Sequence, residues 1–330
     1  MDINETRGEL IECSHRVHIA VVRDNTLLAY NNDCHKVIYA RSSVKPIQAL
    51  QCVKSGAYEK YNISQKELSL MCASHISEDF HVESTQSILD KANIGVEFLK
   101  CGIHIPENSY IYEKMIRENK KLSQLNNNCS GKHSGMLVSA KAKNEDLDTY
   151  LDINHSLQQR IIDDISHICE YDKEKIIIGR DGCGAPVHAL PIYNLALGFS
   201  KLSDNNKLKD KRQEIEIIID AMTTYPEMVS GTDTFCTDLM KVFKGRIFGK
   251  YGTQGVYLLG DRKSNIGICI KVEDGHKASI FCAVVETLKQ LNLIDEVELK
   301  KLEKYHNPKL FNSRDEVIGE MKSNFNLNFI

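Results

Sequence analysis

The sequence predicts an α/β (α+β) fold, with a mixed or antiparallel central sheet flanked by helices. Three observations carry that expectation: strand-like runs lie at both ends of the chain, helix-like segments crowd the middle, and no repeat or low-complexity linker divides them. Terminal strands that meet in one sheet, with helices packed on it, bury the apolar faces of both element types. The expected organisation is a single domain over residues 1–330, with a helical subregion at about 57–245.

Residues 9–31 read as two strands around an Asp24-Asn25 turn, since Asp and Asn tolerate the left-handed backbone of a tight hairpin. A helix follows from about Ser42 to Lys54, closed by Gly56; Pro46 is tolerable there only in the first turn. Ser64-Gln-Lys-Glu67 is a capping box that opens a second helix. A longer helix spans about Asp79 to Ala92, and residues 104–128, polar and irregular, read as a loop. Gly131–Lys141 and Leu157–Cys169 look helical, and Lys175–Gly179 reads as a buried strand running into the turn Arg180–Pro186. Helices near 190–202, 211–224 and 234–243 precede two or three strands between Arg246 and Val272. Lys277–Leu291 and Glu296–Tyr305 are helical, and Glu316–Ser323 is a last strand.

Composition narrows the function. At 330 residues, 42% hydrophobic and 26% charged, the chain can bury a large core unaided. Net charge is −3 and spread along the chain, Trp is absent and aromatics are only 7%. No nucleic-acid footprint is expected, and no membrane partner is supported. The opening MDINETRGEL has neither a basic region nor an apolar stretch, and no run approaches a membrane span. The 11 cysteines are odd in number and irregular in spacing. A disulfide framework is therefore not expected, and a cytoplasmic location is.

Four places could carry chemistry. In Ala40-Arg-Ser-Ser-Val-Lys45, Ser42 and Lys45 sit three apart at a helix start, so they share one face. A hydroxyl is a weak nucleophile until a base takes its proton, and a lysine is such a base only when uncharged. The plain alternative makes Ser42 a helix cap and Lys45 a solvated first-turn residue. Serine acyltransferases pair S-x-x-K with a later serine and a K-x-G on a strand; here Ser74 and Lys250-Tyr-Gly252 occupy those places. The alternatives are a capping or core hydroxyl for Ser74 and an edge-strand charge for Lys250. The last place is a cysteine set. Asn128-Cys-Ser-Gly-Lys-His133 and Asp181-Gly-Cys-Gly184 put Cys129 and Cys183 on glycine-bearing turns, which suit a zinc ligand or reactive thiolate as well as a plain structural thiol. His75 and His133 flank these motifs. The remaining histidines considered, His15 and His276 among them, show no ligand spacing.

With these motifs in order, the chain resembles the thermolabile, Rhizobium-type L-asparaginase family (asparaginase II) over nearly its whole length. Arg7-Gly8, Ala40–Ala49, Ala73-Ser-His75, Asn127–Met136, Asp181–Pro186, Lys250–Tyr257 and Lys271–Gly275 carry the resemblance. It implies hydrolysis of L-asparagine to L-aspartate and ammonia by a homodimer with a fold like that of serine β-lactamases and glutaminases. It implies Ser42 with Lys45 and Ser74 with Lys250 as Ser/Lys tandems, and Cys129, Lys132 and Cys183 as zinc ligands. Arg41, His133 and Asp181 would bind substrate. In that scheme Ser42 attacks, Lys45 takes its proton, Ser74 relays a proton to the departing ammonia and Lys250 adds positive charge, although the second pair has the same chemistry. Lys132 is unexpected as a ligand, because an ammonium cannot coordinate. The chain departs from the family pattern at Gly252-Thr-Gln-Gly255, Ile76-Ser-Glu78 and Thr234-Phe-Cys-Thr237. Two rival readings stand: a glutaminase or other small-amide hydrolase on the same scaffold, and a non-catalytic cysteine- or zinc-responsive protein.

Overall fold

A computed structural model describes residues 2–204, 208 and 212–330. The chain divides into two compact units, the first made of Met1–Ser43, Leu190–Asp204 and Asp238–Ile330, the second of Val44–Ala189 and Asn205–Thr237.

The first unit holds the sheets that the terminal strands were expected to build. Its larger sheet runs, in spatial order, Asn328–Phe329, Thr26–Asn31, Val17–Arg23, Ile266–Val272, Val256–Asp261 and Ile247–Gly252. Each of these pairings is antiparallel. Every residue from Val17 to Val22 is buried, as the near-continuous apolar run requires when both faces of a strand are covered. Asp24 and Asn25 both adopt positive φ, 51° and 65°, and Arg23 pairs with Thr26. That is the tight two-residue hairpin expected from their side chains. A second sheet, Lys309–Phe311, Val317–Ser323, Ile3–Arg7 and Leu10–His15, uses strands from both chain ends. The α/β class with an antiparallel sheet built from both ends is therefore what the chain adopts.

The second unit is mainly helical: Lys45–Lys54, Gln65–Met71, Asp79–Lys91, Ser109–Arg117, Ser130–Ala142, Ser156–Cys169 and Arg212–Thr224. Lys211, the first residue of the helix expected at 211–224, lies outside the described residues. The capping box forms as read: Ser64 Oγ accepts from Glu67 N at 3.3 Å and Glu67 Oε2 accepts from Ser64 N at 2.7 Å. Ser130–Ala142 is buried from Ser130 through Ala140. Gly131 lets that helix approach its neighbour, since a Cβ there would lie 2.3 Å from the Leu70 carbonyl oxygen.

Three expectations need correction: residues 9–31 hold three strands rather than two, Leu10–His15 in the second sheet and Val17–Arg23 and Thr26–Asn31 in the larger one. The stretch 104–128 is not all loop: Ser109–Arg117 is a helix capped by Asn108, which accepts from Ile111 N at 3.2 Å. Of its residues only Met115 is buried. Ile177–Arg180 is a strand but not a buried one; Ile177 and Ile178 are 55% and 37% exposed. It pairs with Pro186–Ala189, and an apolar run of this length does not by itself decide burial.

Candidate active site

Lys45 opens its helix and is almost wholly buried at 1% exposure. Its ammonium donates to Ser74 Oγ at 3.1 Å, to Cys129 Sγ at 3.2 Å and to the Ala73 carbonyl. A lysine ammonium has three N–H donors, and here three acceptors take them. Ser74 is pinned at both ends of its peptide environment. Its N–H donates to the Val229 carbonyl at 3.0 Å and the next N–H, of His75, to the Asn128 carbonyl at 3.1 Å. His75 is buried, with Nδ1 accepting from Ser77 N and Nε2 2.8 Å from Ser130 Oγ. Burial holds its pKa well below the usual imidazole range, and the charges of His81, Lys45 and His104 push the same way, so it is a neutral ring.

The cysteines form the second cluster of this unit. Asn127 Oδ1 accepts from Cys129 N at 2.9 Å, while its Nδ2 donates to the Cys101 and Gly102 carbonyls. Cys129 is thereby set at the start of Ser130–Ala142, one turn from Lys132. Cys183 sits at the tip of the hairpin between Ile177–Arg180 and Pro186–Pro191, in a turn closed by Gly184 N donating to the Asp181 carbonyl at 2.9 Å. Asp181 belongs to that turn and its Oδ1 accepts from Gly182 N. Lys132 Nζ donates to Cys183 Sγ at 3.0 Å.

The thiols divide into unlike states. A hydrogen bond from Cys129 and the charge of Lys132 outweigh burial and bring Cys183 down to about 4, a thiolate at neutral pH. The same hydrogen bond, with burial, pushes Cys129 up to about 12. Burial alone would lower Lys132, but the sulfurs of Cys183 and Cys129 outweigh it and raise it. An ammonium–thiolate pair results. His133 donates or accepts at Nδ1 with Tyr150 Oη at 2.6 Å, yet its buried Nε2 has no hydrogen-bond partner. His188 is buried, feels the Lys132 charge, and has neither ring nitrogen satisfied. The two buried sulfurs, one already ionised, are soft donors of the kind a thiophilic cation takes, but among the described residues no third His, Cys, Asp or Glu joins them in a ligand cluster.

The sequence singled out Lys45, Ser74, Cys129, His133 and Cys183, and the family resemblance added Lys132 and Asp181, all of the second unit; His188 and Tyr150 were not singled out. A lone histidine inside the apolar strand Pro186–Pro191 was the available signal for His188. Arg41, Ser42 and Lys250 belong to the first unit. Arg41 holds φ at +52°, a left-handed conformation costly for a side chain with a Cβ, and such strain gathers at functional positions. The next residue, Ser42, is buried at 6% exposure. Lys250 is wholly buried on the strand Ile247–Gly252, with Nζ 2.7 Å from the Tyr251 carbonyl. Two residues on, and so on the same face of that strand, Gly252 lies against the Arg41 turn. A Cβ there would stand 2.9 Å from the Ala40 carbonyl oxygen and 3.1 Å from Ser43 N.

The chain is similar to a β-lactamase from Mycobacterium bovis, with 12% identity over 82% of this chain and 94% of that one and a TM-score of 0.43. It is also similar to a D-alanine carboxypeptidase from Burkholderia cenocepacia, with 13% identity over 84% and 93% of the two chains and a TM-score of 0.39. Likenesses this distant carry no argument about what the site does. No curated relative matches the chain in sequence. Among the described residues, no helix is long and apolar enough to cross a membrane. The model of one family, L-asparaginase II, matches residues 3–323. With a match over nearly its whole length, the chain belongs to the L-asparaginase II family of amidohydrolases.

Proposed function

We propose that this chain is an L-asparaginase of the thermolabile type, which hydrolyses L-asparagine to L-aspartate and ammonia through a serine nucleophile. The observation that carries the reading is the Lys45–Ser74 hydrogen bond of 3.1 Å in a chain of the asparaginase II family. Acyl transfer to a serine needs a group that takes the hydroxyl proton and later returns one to the leaving amine. Lys45, buried and already bonded to a hydroxyl, is suited to that exchange once it has given up a proton. Ser42, next to the strained Arg41, attacks the side-chain amide carbon; Ser74 passes the proton to departing ammonia; Lys250 lends positive charge. The acyl-enzyme is then opened by water.

Cys129, Cys183 and Lys132 would hold a zinc ion, Lys132 losing its proton to do so. When bound, zinc would supply positive charge that orients the substrate's α-carboxylate or α-amine, a task in which Arg41, His133 and Asp181 take part. None of the eleven cysteines forms a disulfide, which agrees with a reducing, cytoplasmic setting. The resemblance to the thermolabile enzymes supports a homodimer, which light scattering on purified protein tests.

The experiment measures ammonia release from L-asparagine and L-glutamine, with β-lactam ring opening followed in parallel by its ultraviolet absorbance. Turnover of asparagine far above the other two is expected. One methylene alters binding by only about 1–3 kcal/mol, so some glutamine turnover agrees with the reading, while none from either amide overturns it.

A further inference from the structure

We propose that Glu5, His15 and His276 form a divalent transition-metal site, of the zinc class, on the first unit. It is separate from the Cys129–Cys183 cluster and independent of the hydrolase reading. Among the described residues, these three bring one ligand-capable atom each within 4.8 Å of one another.

The fold puts them there for local reasons. Ile3–Arg7 and Leu10–His15 pair antiparallel with Ile3 opposite His15 and Glu5 opposite Cys13, so Glu5 and His15 are diagonal neighbours on one face. The register shifts between Glu5 and Thr6, and such a bulge re-aims the side chain beside it. His276 is the residue before the helix Lys277–Gln290. Asp274 fixes both histidines at once. Its Oδ2 lies 2.6 Å from His15 Nδ1, and its Oδ1 accepts from the backbone N–H of His276 at 3.0 Å. A carboxylate on the far nitrogen of a metal-ligating imidazole is the usual arrangement of zinc histidines.

The distances match coordination. Zinc bound at 2.0–2.1 Å to nitrogen and oxygen places tetrahedral neighbours about 3.3 Å apart. Glu5 Oε1 stands 3.2 Å from His15 Nε2 and 3.5 Å from His276 Nδ1. With His15 donating Nδ1–H to Asp274, its Nε2 presents a lone pair to the Glu5 carboxylate. In that tautomer two acceptors face each other, an arrangement that a metal ion between them satisfies. The imidazole rings stack at 4.5 Å with planes 9° apart, so one of them must turn for both to reach a single ion. His276, with its side chain 40% exposed, has room to rotate toward a shared ion, exchanging its 2.8 Å contact with Ser279 Oγ for it. The fourth position opens to solvent through His276. Such an ion would clip the N-terminal hairpin to the turn that starts the helix.

The test uses untagged, chelator-stripped full-length protein titrated with Co²⁺ alone, followed by visible absorption. Two equivalents are expected, one with the thiolate-to-cobalt charge transfer that Cys129 and Cys183 add and one whose d–d bands grow in without it. Asp274→Asn should weaken the thiolate-free equivalent about 10–100-fold, the usual effect of losing a ligand's orienting partner. His276→Ala should weaken it more. Because His276 is well exposed, circular dichroism should show the variant folded. A wild-type protein with no thiolate-free cobalt band overturns the proposal, as does a His276→Ala protein that keeps the band at unchanged affinity.

Discussion

Lys45 and Ser74, separated by 29 positions in the chain, share a hydrogen bond of 3.1 Å, and Lys45 is buried to 1% exposure. If Lys45 carries the proton and Ser74 relays it, Lys45→Met and Ser74→Ala should each lower kcat at least about a hundredfold, the lower end for a proton-transfer group. The double variant should be little worse than the worse single, since residues that act as a unit are not additive. Lys45→Met also leaves the Ala73 carbonyl without that donor, which costs about 1–3 kcal/mol of stability. Steady-state ammonia release with a parallel melting curve separates the two effects. Near-normal kcat in Lys45→Met would refute the assignment.

Cys183 should remain a thiolate in metal-free protein from neutral pH down to about 4, while Cys129 stays a thiol up to about 12. The Cys129 S–H bond is the first cause of that depression, with Lys132 behind it and burial opposing. Cys129→Ala should therefore push the Cys183 titration up, and Lys132→Met should do the same. The thiolate ultraviolet absorbance lost on Cys183→Ser, followed against pH, reports it directly. An absorbance that vanishes near the ordinary thiol range in the parent protein would contradict the pairing.

Local chemistry was legible in the sequence where it is decided locally. Asp24-Asn25 and Ser64–Glu67 needed only their own side chains to specify a turn and a cap. The helix Ser109–Arg117 was hidden by the polar, irregular residues on either side of it, although its own apolar residues fall on one face. The motifs bearing Lys45, Ser74, Cys129 and Cys183 were visible one at a time. That Lys45 touches both Ser74 and Cys129 depends on where helices pack, which no spacing encodes. His15 and His276 make the point more sharply. They are 261 residues apart and show no ligand pattern, yet their rings stack at 4.5 Å because strand and helix ends meet there.

His81 should make the fold sensitive to mild acid. Burial is the main cause that brings it to about 4 from 6.5, partly opposed by its bond to the Glu227 carbonyl. Below pH 6.5 the unfolded chain takes up a proton that folded His81 refuses, so stability falls as pH falls and keeps falling until about 4. One such proton corresponds to about 1.4 kcal/mol per pH unit at full slope. Urea unfolding of His81→Gln and the parent across that window should show the variant's stability declining less steeply, by up to one proton. Equal slopes would mean that another group sets the acid limit.

Gly252→Ala should damage turnover more than stability. The new Cβ would meet the Ala40 carbonyl oxygen at 2.9 Å, Ser43 N at 3.1 Å and Arg41 Cβ at 3.3 Å. Two of these are backbone atoms, which cannot rotate away as a side chain does, so the strand or the turn must move. Overpacking of this kind costs about 1–3 kcal/mol, which a unit with a large sheet core tolerates. The turn that moves carries Ser42, however, and a nucleophile misplaced by about 1 Å can lose on the order of a hundredfold in rate. The expected result is a kcat lowered tenfold or more with a melting temperature only a few degrees down. Full kcat in a folded Gly252→Ala protein would remove the turn, and Ser42 with it, from the chemistry.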